Sequence, residues 1–319
     1  MTNPRLFELA RMPLNVRAAR IAELFAEGNE EGPAALGRAK RRAARREALR
    51  GTPLADLRRR FRSLRHWLSP RHFVEAALVL ACMARDWATD GATPSTKACG
   101  QRPLGFCGRA ASLAPDYLIE AYSRGLSPRN FLGVPTLWSP ATHAVLRPWD
   151  FPRGISGADS AAVHISLDQS FDQILLASAR ASRDVWRHPV LDLALGDLYD
   201  AGFAHSLEVR DADGDLLAGL IGVAVGGVFT IERLFARDEE ALARGVNNLA
   251  FQLQRWNFAL IAIKAPSELA LRLRCATMTR AAYAAELASN GCGGRHGRWR
   301  MSDDLRRPAS LLGDYAMGA

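Results

Sequence analysis

Lysine is nearly missing from this chain. Only Lys40, Lys97 and Lys264 occur among 319 residues, although 42 residues are lysine or arginine. Positive charge is therefore almost entirely guanidinium, a bias that GC-rich codon usage alone produces. Cysteine is also sparse and odd in number: Cys82, Cys99, Cys107, Cys275 and Cys292 are scattered, with no CxxC pair and no His/Cys ligand cluster. That spacing excludes a disulfide scaffold and predicts reduced thiols and no structural zinc or other metal. Cys292 and His296 flank a glycine-rich tail, but two ligands do not make a site. A charged-then-apolar leader is absent, and the long apolar run Leu216 to Thr230 is broken by four glycines and too short to span a bilayer. The expectation is a soluble, cytoplasmic protein with no membrane partner. No internal repeat is visible.

What is present begins with uneven charge. Between Arg38 and Arg65 stand twelve basic residues and two acidic ones, Glu47 and Asp56, so this segment carries the whole net charge of +9 and the remainder is about neutral. Charge of one sign gathered on one segment attracts polyanions, and the segment reads equally as a phosphate-binding footprint or as a solvated helix. Two short helices are expected before it, over Arg5–Arg11 and Asn15–Glu27, and an exposed helix over Ala34–Arg50. In the next helix Leu54, Leu57, Phe61, Leu64 and Leu68 form one stripe that can pack, with arginines largely on the other face. Pro70–Trp87 reads as a more buried helix. The sequence predicts a helical, basic N-terminal extension over 1–88, a linker or loop over 89–112, a small subdomain over 113–162, a transferase domain over 163–290 and a mobile tail over 291–319.

The centre of the chain is Ala204 to Phe235. Asp213-Gly214 and Gly226-Gly227 separate apolar runs, which predicts a three-stranded antiparallel meander whose middle strand, Leu216–Val225, is buried on both faces. A helix over Asp238–Trp256, a strand over Phe258–Ile263 and helices over Ser267–Arg274 and Thr279–Ala288 follow. The pattern is an α+β fold with a mixed, mainly antiparallel sheet and flanking helices. The turn after the third strand, Ala236 to Gly245, opens on Asp238-Glu-Glu240 and has no glycine-rich phosphate loop. Acid at a helix start repels a pyrophosphate, so acyl-CoA is disfavoured as a donor.

Several stretches carry a resemblance. They are Leu113-Ala-Pro-Asp-Tyr-Leu-Ile-Glu-Ala-Tyr-Ser-Arg-Gly125, Leu137-Trp-Ser-Pro140, Ala144-Val-Leu146, Gly202-Phe-Ala-His-Ser-Leu-Glu-Val209, Leu217-Ala-Gly-Leu-Ile-Gly-Val223 and Glu232-Arg-Leu-Phe235. Through them the chain resembles the leucyl/phenylalanyl-tRNA–protein transferases over Leu113 to Leu287. The resemblance implies an acetyltransferase-like (GNAT-like) fold, aminoacyl-tRNA as co-substrate with no further cofactor, and an amine-bearing acceptor. It implies a pocket for the amino-acid side chain and terminal adenosine bordered by Trp138 and Trp186, with His205, Ser206, Phe229 and Phe235 as further substrate contacts. Glu232 is the carboxylate kept in the third strand. Arg38, Lys40, Arg41, Arg42, Arg45, Arg46, Arg58, Arg59 and Arg62 then serve the tRNA backbone.

The family pattern is altered on one side. Its Leu-Ile-Asp-x-Gln strand is here Leu260-Ile-Ala-Ile-Lys264, so Ala262 and Lys264 stand where an aspartate and a glutamine position the accepting amine. Lys264 joins Glu232 as a candidate catalytic residue. The sequence thus predicts an aminoacyl-tRNA-dependent aminoacyltransferase whose acceptor is a small molecule or specialised peptide rather than the usual protein N-terminus. The alternative is a catalytically degenerate homologue that binds RNA or protein.

Overall fold

The computed structural model describes residues 33–51, 53–88, 100, 105–150, 163–182, 184–263, 273, 275–290 and 295–305. Lys264, Cys99, Cys292, the expected helices before residue 30 and the one over 267–274 lie outside the described residues. In chain order the elements are α1 (Pro33–Ala48), α2 (Pro53–Trp67), α3 (Phe73–Ala88), β1 (Phe106–Arg109), α4 (Pro115–Ser123), β2 (Ser127–Phe131), β3 (Val134–Trp138), β4 (Thr142–Leu146), β5 (His164–Leu167), α5 (Phe171–Ala181), α6 (Pro189–Asp200), β6 (Ala204–Arg210), β7 (Leu216–Val225), β8 (Val228–Ala236), α7 (Glu239–Arg255), β9 (Leu260–Ile263), β10 (Ala276–Thr279) and α8 (Arg280–Ser289). The fold is α+β, with antiparallel and mixed sheets between helices.

Two compact units are formed, each from several stretches of chain. The first joins residues 1–142 to 182–200 and 279–292; the second joins 143–181, 201–278 and 293–319. In the first unit a three-stranded antiparallel sheet runs in the order β1-β3-β2. β1 lies inside the stretch expected to be a linker, where Gly, Pro and Ser hid a four-residue strand with three buried positions. Its register slips between Phe106 and Gly108, so Cys107 is an extra residue opposite β3. Cys107 is disulfide-bonded, which corrects the expectation of reduced thiols throughout. Cys82 and Cys275 are free. Trp67, Ala76 and Val79 of α2 and α3 pack with Phe106, Phe131 and Trp138 of the sheet.

The second unit is built on a seven-stranded sheet in the order β10-β4-β9-β8-β7-β6-β5. β6, β7 and β8 form the expected meander, and all but one residue of β7 is buried. Each large apolar side chain buried there contributes about 1.5–3 kcal/mol. β9 runs parallel to β8, Val228 opposite Leu260 through Ile231 opposite Ile263. A parallel partner requires a crossover, and α7 supplies it. Asp238 caps α7, its carboxylate accepting from the backbone N–H groups of Glu240 and Ala241 at 2.8 and 3.0 Å.

The expected mobile tail is partly built into this unit. Trp299, Met301 and Leu305 are buried in its core. Gly297 N–H donates to the Gly202 carbonyl at 3.1 Å, and a Cβ on Gly202, whose φ is +81°, would stand 2.8 Å from Gly297 N. Two backbones approach that closely only where a side chain is missing.

Candidate functional site

The polar centre of the second unit forms where β5 ends. Asp168 adopts a left-handed φ of 56°, which aspartate tolerates better than most residues. Its N–H donates to the Ser206 carbonyl at 3.0 Å. Its carboxylate accepts from Ser206 N at 2.9 Å, from Trp299 N at 2.7 Å and from His205 Nδ1 at 2.8 Å. One aspartate thus joins β6 to the 295–305 strap. The Trp299 ring lies flat on the His205 ring, centroids 3.6 Å apart and 6° from parallel, and Phe229, Trp256 and Phe258 surround it. Burial pushes the His205 pKa down, against the hydrogen bond and charge of Asp168 and the Gly202 carbonyl. The neutral ring then carries its proton on Nδ1, toward the carboxylate. Beside this group is a cavity of about 330 Å³ lined by Ser166 to Gln169 and Arg298 to Met301.

Ser206 is tied to a second buried carboxylate. Its hydroxyl donates to Glu208 at 2.6 Å, as does the Ser166 hydroxyl at 2.6 Å. The backbone N–H groups of Ser170 and Gln169, at the start of α5, donate to the same carboxylate at 3.1 and 3.4 Å. Burial raises the Glu208 pKa, and these four donors oppose the rise. Glu208 is fully buried and fixes the positive end of α5 to the meander. Glu208 lies in the Gly202–Val209 stretch that carries the resemblance, but the sequence singles out neither it nor Asp168 as a site residue, because Asp168 and most partners of Glu208 come from other strands and loops.

Glu232 occupies a β-bulge. Arg233 pairs with Ile221 and Ile231 with Gly222, so Glu232 is the residue left over in β8. A bulge re-aims its side chain out of the strand's alternation, and bulges gather beside active sites. The Glu232 side chain is only 1% exposed, with Arg233 Nη1 at 3.6 Å. Across from the bulge, Phe229 fills the space over Gly222: a Cβ there would lie 2.3 Å from Phe229 Cζ. Phe229 is buried and Phe235 half-buried. Ala262, in β9, is buried opposite Thr230 and Val145. Among the described residues no cluster of His, Cys, Asp or Glu is arranged to hold a metal.

Trp138 and Trp186 belong to the first unit, where the structure brings them together at 4.9 Å and 74°. Trp138 is 1% exposed and donates from Nε1 to Thr136 Oγ1 at 2.7 Å. Its faces are taken by Phe106, Phe131 and Trp186, so it acts as a wall under its neighbour. Trp186 is half-buried, with the Arg129 guanidinium 5.0 Å from its ring centroid. Its loop is held by Asn130 N–H donating to the Trp186 carbonyl at 2.9 Å and by the Arg187–Asp192 pair at 2.9 Å.

The basic segment divides in two. Arg45 is 5% exposed; its Nη1 donates to Asp200 at 2.7 Å and to the Gly196 carbonyl at 3.0 Å. Arg41 pairs with Asp200 and Arg42 with Asp197, both in α6, and Arg59 with Asp56. Arg45 is buried and holds α1 to α6, which corrects its reading as an RNA-facing residue; Arg41 and Arg42 reach α6 from exposed positions, and the Arg59–Asp56 pair lies within α2. Lys40, Arg46, Arg58 and Arg62 are exposed and Arg38 half-buried. No helix among the described residues is long and apolar enough to cross a membrane.

Comparison with known proteins agrees with the resemblance. A family model described as leucyl/phenylalanyl-tRNA protein transferase matches residues 156–288. A leucyl/phenylalanyl-tRNA–protein transferase of Alkalilimnicola ehrlichii is 33% identical over 220 residues, covering 66% of this chain and 85% of the relative. One of Nitrosospira multiformis is 36% identical over 171 residues, covering 50% and 72%. One of Psychrobacter arcticus is 28% identical over 225 residues, covering 66% and 82%. The identity and the span of these matches place the chain in the leucyl/phenylalanyl-tRNA–protein transferase family.

Proposed function

We propose that this chain is an aminoacyltransferase that moves an amino acid from aminoacyl-tRNA to an amine. The ester of an aminoacyl-tRNA is already activated, so the protein has chiefly to orient the amine, accept its proton and stabilise the developing oxyanion. The observation that carries this reading is Glu232, held by a bulge with its side chain almost wholly out of water. A carboxylate so placed suits proton transfer from an attacking amine. The acetyltransferase-like reading of the fold is supported by the order meander, crossover helix, parallel strand. Acyl-CoA as the donor is disfavoured, because the Asp238 carboxylate already occupies the amides at the start of α7 that a pyrophosphate would need.

The acceptor is proposed to differ from the family's. Ala262 is buried and apolar where the family has an aspartate, so this position supplies no charge to hold an ammonium. Lys264 is retained as a candidate for reading an acidic or phosphate-bearing acceptor. The test incubates the full chain with leucyl- and phenylalanyl-tRNA carrying labelled amino acid, together with a model protein bearing a free N-terminus, peptides and small amines. Label on peptides or small amines and not on the model protein supports an altered acceptor. Label on the protein N-terminus restores the family's acceptor and contradicts it. Salt-sensitive tRNA binding with no transfer to any acceptor favours the degenerate binding module, for which the loss of the aspartate is the supporting observation.

A further inference from the structure

Two N-terminal helices are turned the wrong way round for a soluble body. α2 packs inward through Ser63 and Trp67, with Asp56, Arg59 and His66 half-buried on that side. Its apolar stripe, Leu54, Leu57, Phe61, Leu64 and Leu68, faces outward, with Phe61 66% and Leu57 64% exposed. The periodicity shows a stripe that can pack; the structure buries Trp67 and part of the polar side instead. α3 packs through Ala76 and Val79, and its other face shows Phe73, Val74, Leu78, Leu80 and Trp87, the last 81% exposed. Apolar exposure on this scale marks an interaction surface.

Charge indicates the occupant. The acids of these helices are few: Asp86 is half-buried, and Asp56 and Glu75, whose side chains are 47% and 36% exposed, are each paired, with Arg59 and His72. Beyond these, the exposed positions of α2 and α3 hold no acidic residue, whereas Arg58, Arg60, Arg62 and Arg65 border the stripe on α2. A second copy would set these arginines against their equivalents, because a twofold contact joins a patch to itself. Leucine and aromatic side chains bordered by arginine, with tryptophan at one end, fit the boundary between lipid headgroups and acyl chains. We propose that α2 and α3 bind the surface of an anionic bilayer, lying on it rather than crossing it. This revises the expectation of no membrane partner; it does not rest on the transfer reaction, although Arg58 and Arg62 are also proposed to serve tRNA.

The test is co-sedimentation of the full chain with vesicles of phosphatidylcholine mixed with phosphatidylglycerol, and of phosphatidylcholine alone. Phe61→Ser and Trp87→Ser, both at exposed positions, are compared after circular dichroism shows unchanged folding. The expected result is binding to the anionic vesicles that each substitution weakens by about tenfold, with salt-sensitive tRNA binding unaltered. Absence of binding to anionic vesicles overturns the proposal. So does binding that both substitutions leave intact, since arginine charge alone then explains it. Self-association without lipid that Phe61→Ser abolishes assigns the face to a second copy and also overturns it.

Discussion

At the scale of residues, the centre of the second unit is a set of groups held by few alternatives. His205 is kept neutral by burial, below its usual value of 6.5. The unfolded chain takes up a proton there as pH falls below about 6.5 and the folded chain does not, so this residue withdraws stability on acidification. His205→Gln should lower the melting temperature at pH 7.5, through loss of the Asp168 contact, and flatten its decline between about pH 6.5 and 5. Thermal melts across that range check both. Gly222 is equally constrained. Gly222→Ala forces Phe229 aside within a filled core, and urea unfolding should show a loss of about 1–3 kcal/mol. The sequence singled out His205 and Phe229 only as expected substrate contacts. It could not show Asp168 or Trp299 beside them, since those contacts cross 37 and 94 positions of chain with no local pattern.

At the scale of elements, the meander and its crossover helix were readable because turn dipeptides and apolar runs fix them locally. The bulge in β8 was not, because one extra residue leaves strand composition unchanged. β1 was missed for the opposite reason: it is short, and its neighbours look like loop. The stripe on α2 shows a further limit, since periodicity tells which residues share a face but not whether that face looks inward. The cap of α7 is a local device with a local effect. Asp238→Ala removes the acceptor for two backbone N–H groups and should cost about 1 kcal/mol, read as a lower urea midpoint at constant slope. It should not create turnover of acyl-CoA, because Glu239 and Glu240 remain at the helix start.

At the scale of the whole molecule, the basic surplus is divided between cohesion and the proposed binding of tRNA. Arg45→Met leaves Asp200 with weaker compensation in a buried setting and should cost on the order of 3 kcal/mol, with little change in RNA affinity per folded molecule. Replacing Arg46, Arg58 and Arg62 by Gln should leave the melting temperature nearly unchanged. It should reduce the slope of log tRNA affinity against log salt by about one for each arginine. Filter binding across a salt series separates the two groups. The proposed transfer chemistry rests on Glu232, and the most direct test is single-turnover transfer from labelled aminoacyl-tRNA, to whichever acceptor the wild-type chain labels, by the wild type and by Glu232→Gln. The account predicts a rate reduced by about 10²–10⁴ with tRNA affinity unaltered. A Glu232→Gln chain that transfers at the wild-type rate would contradict it.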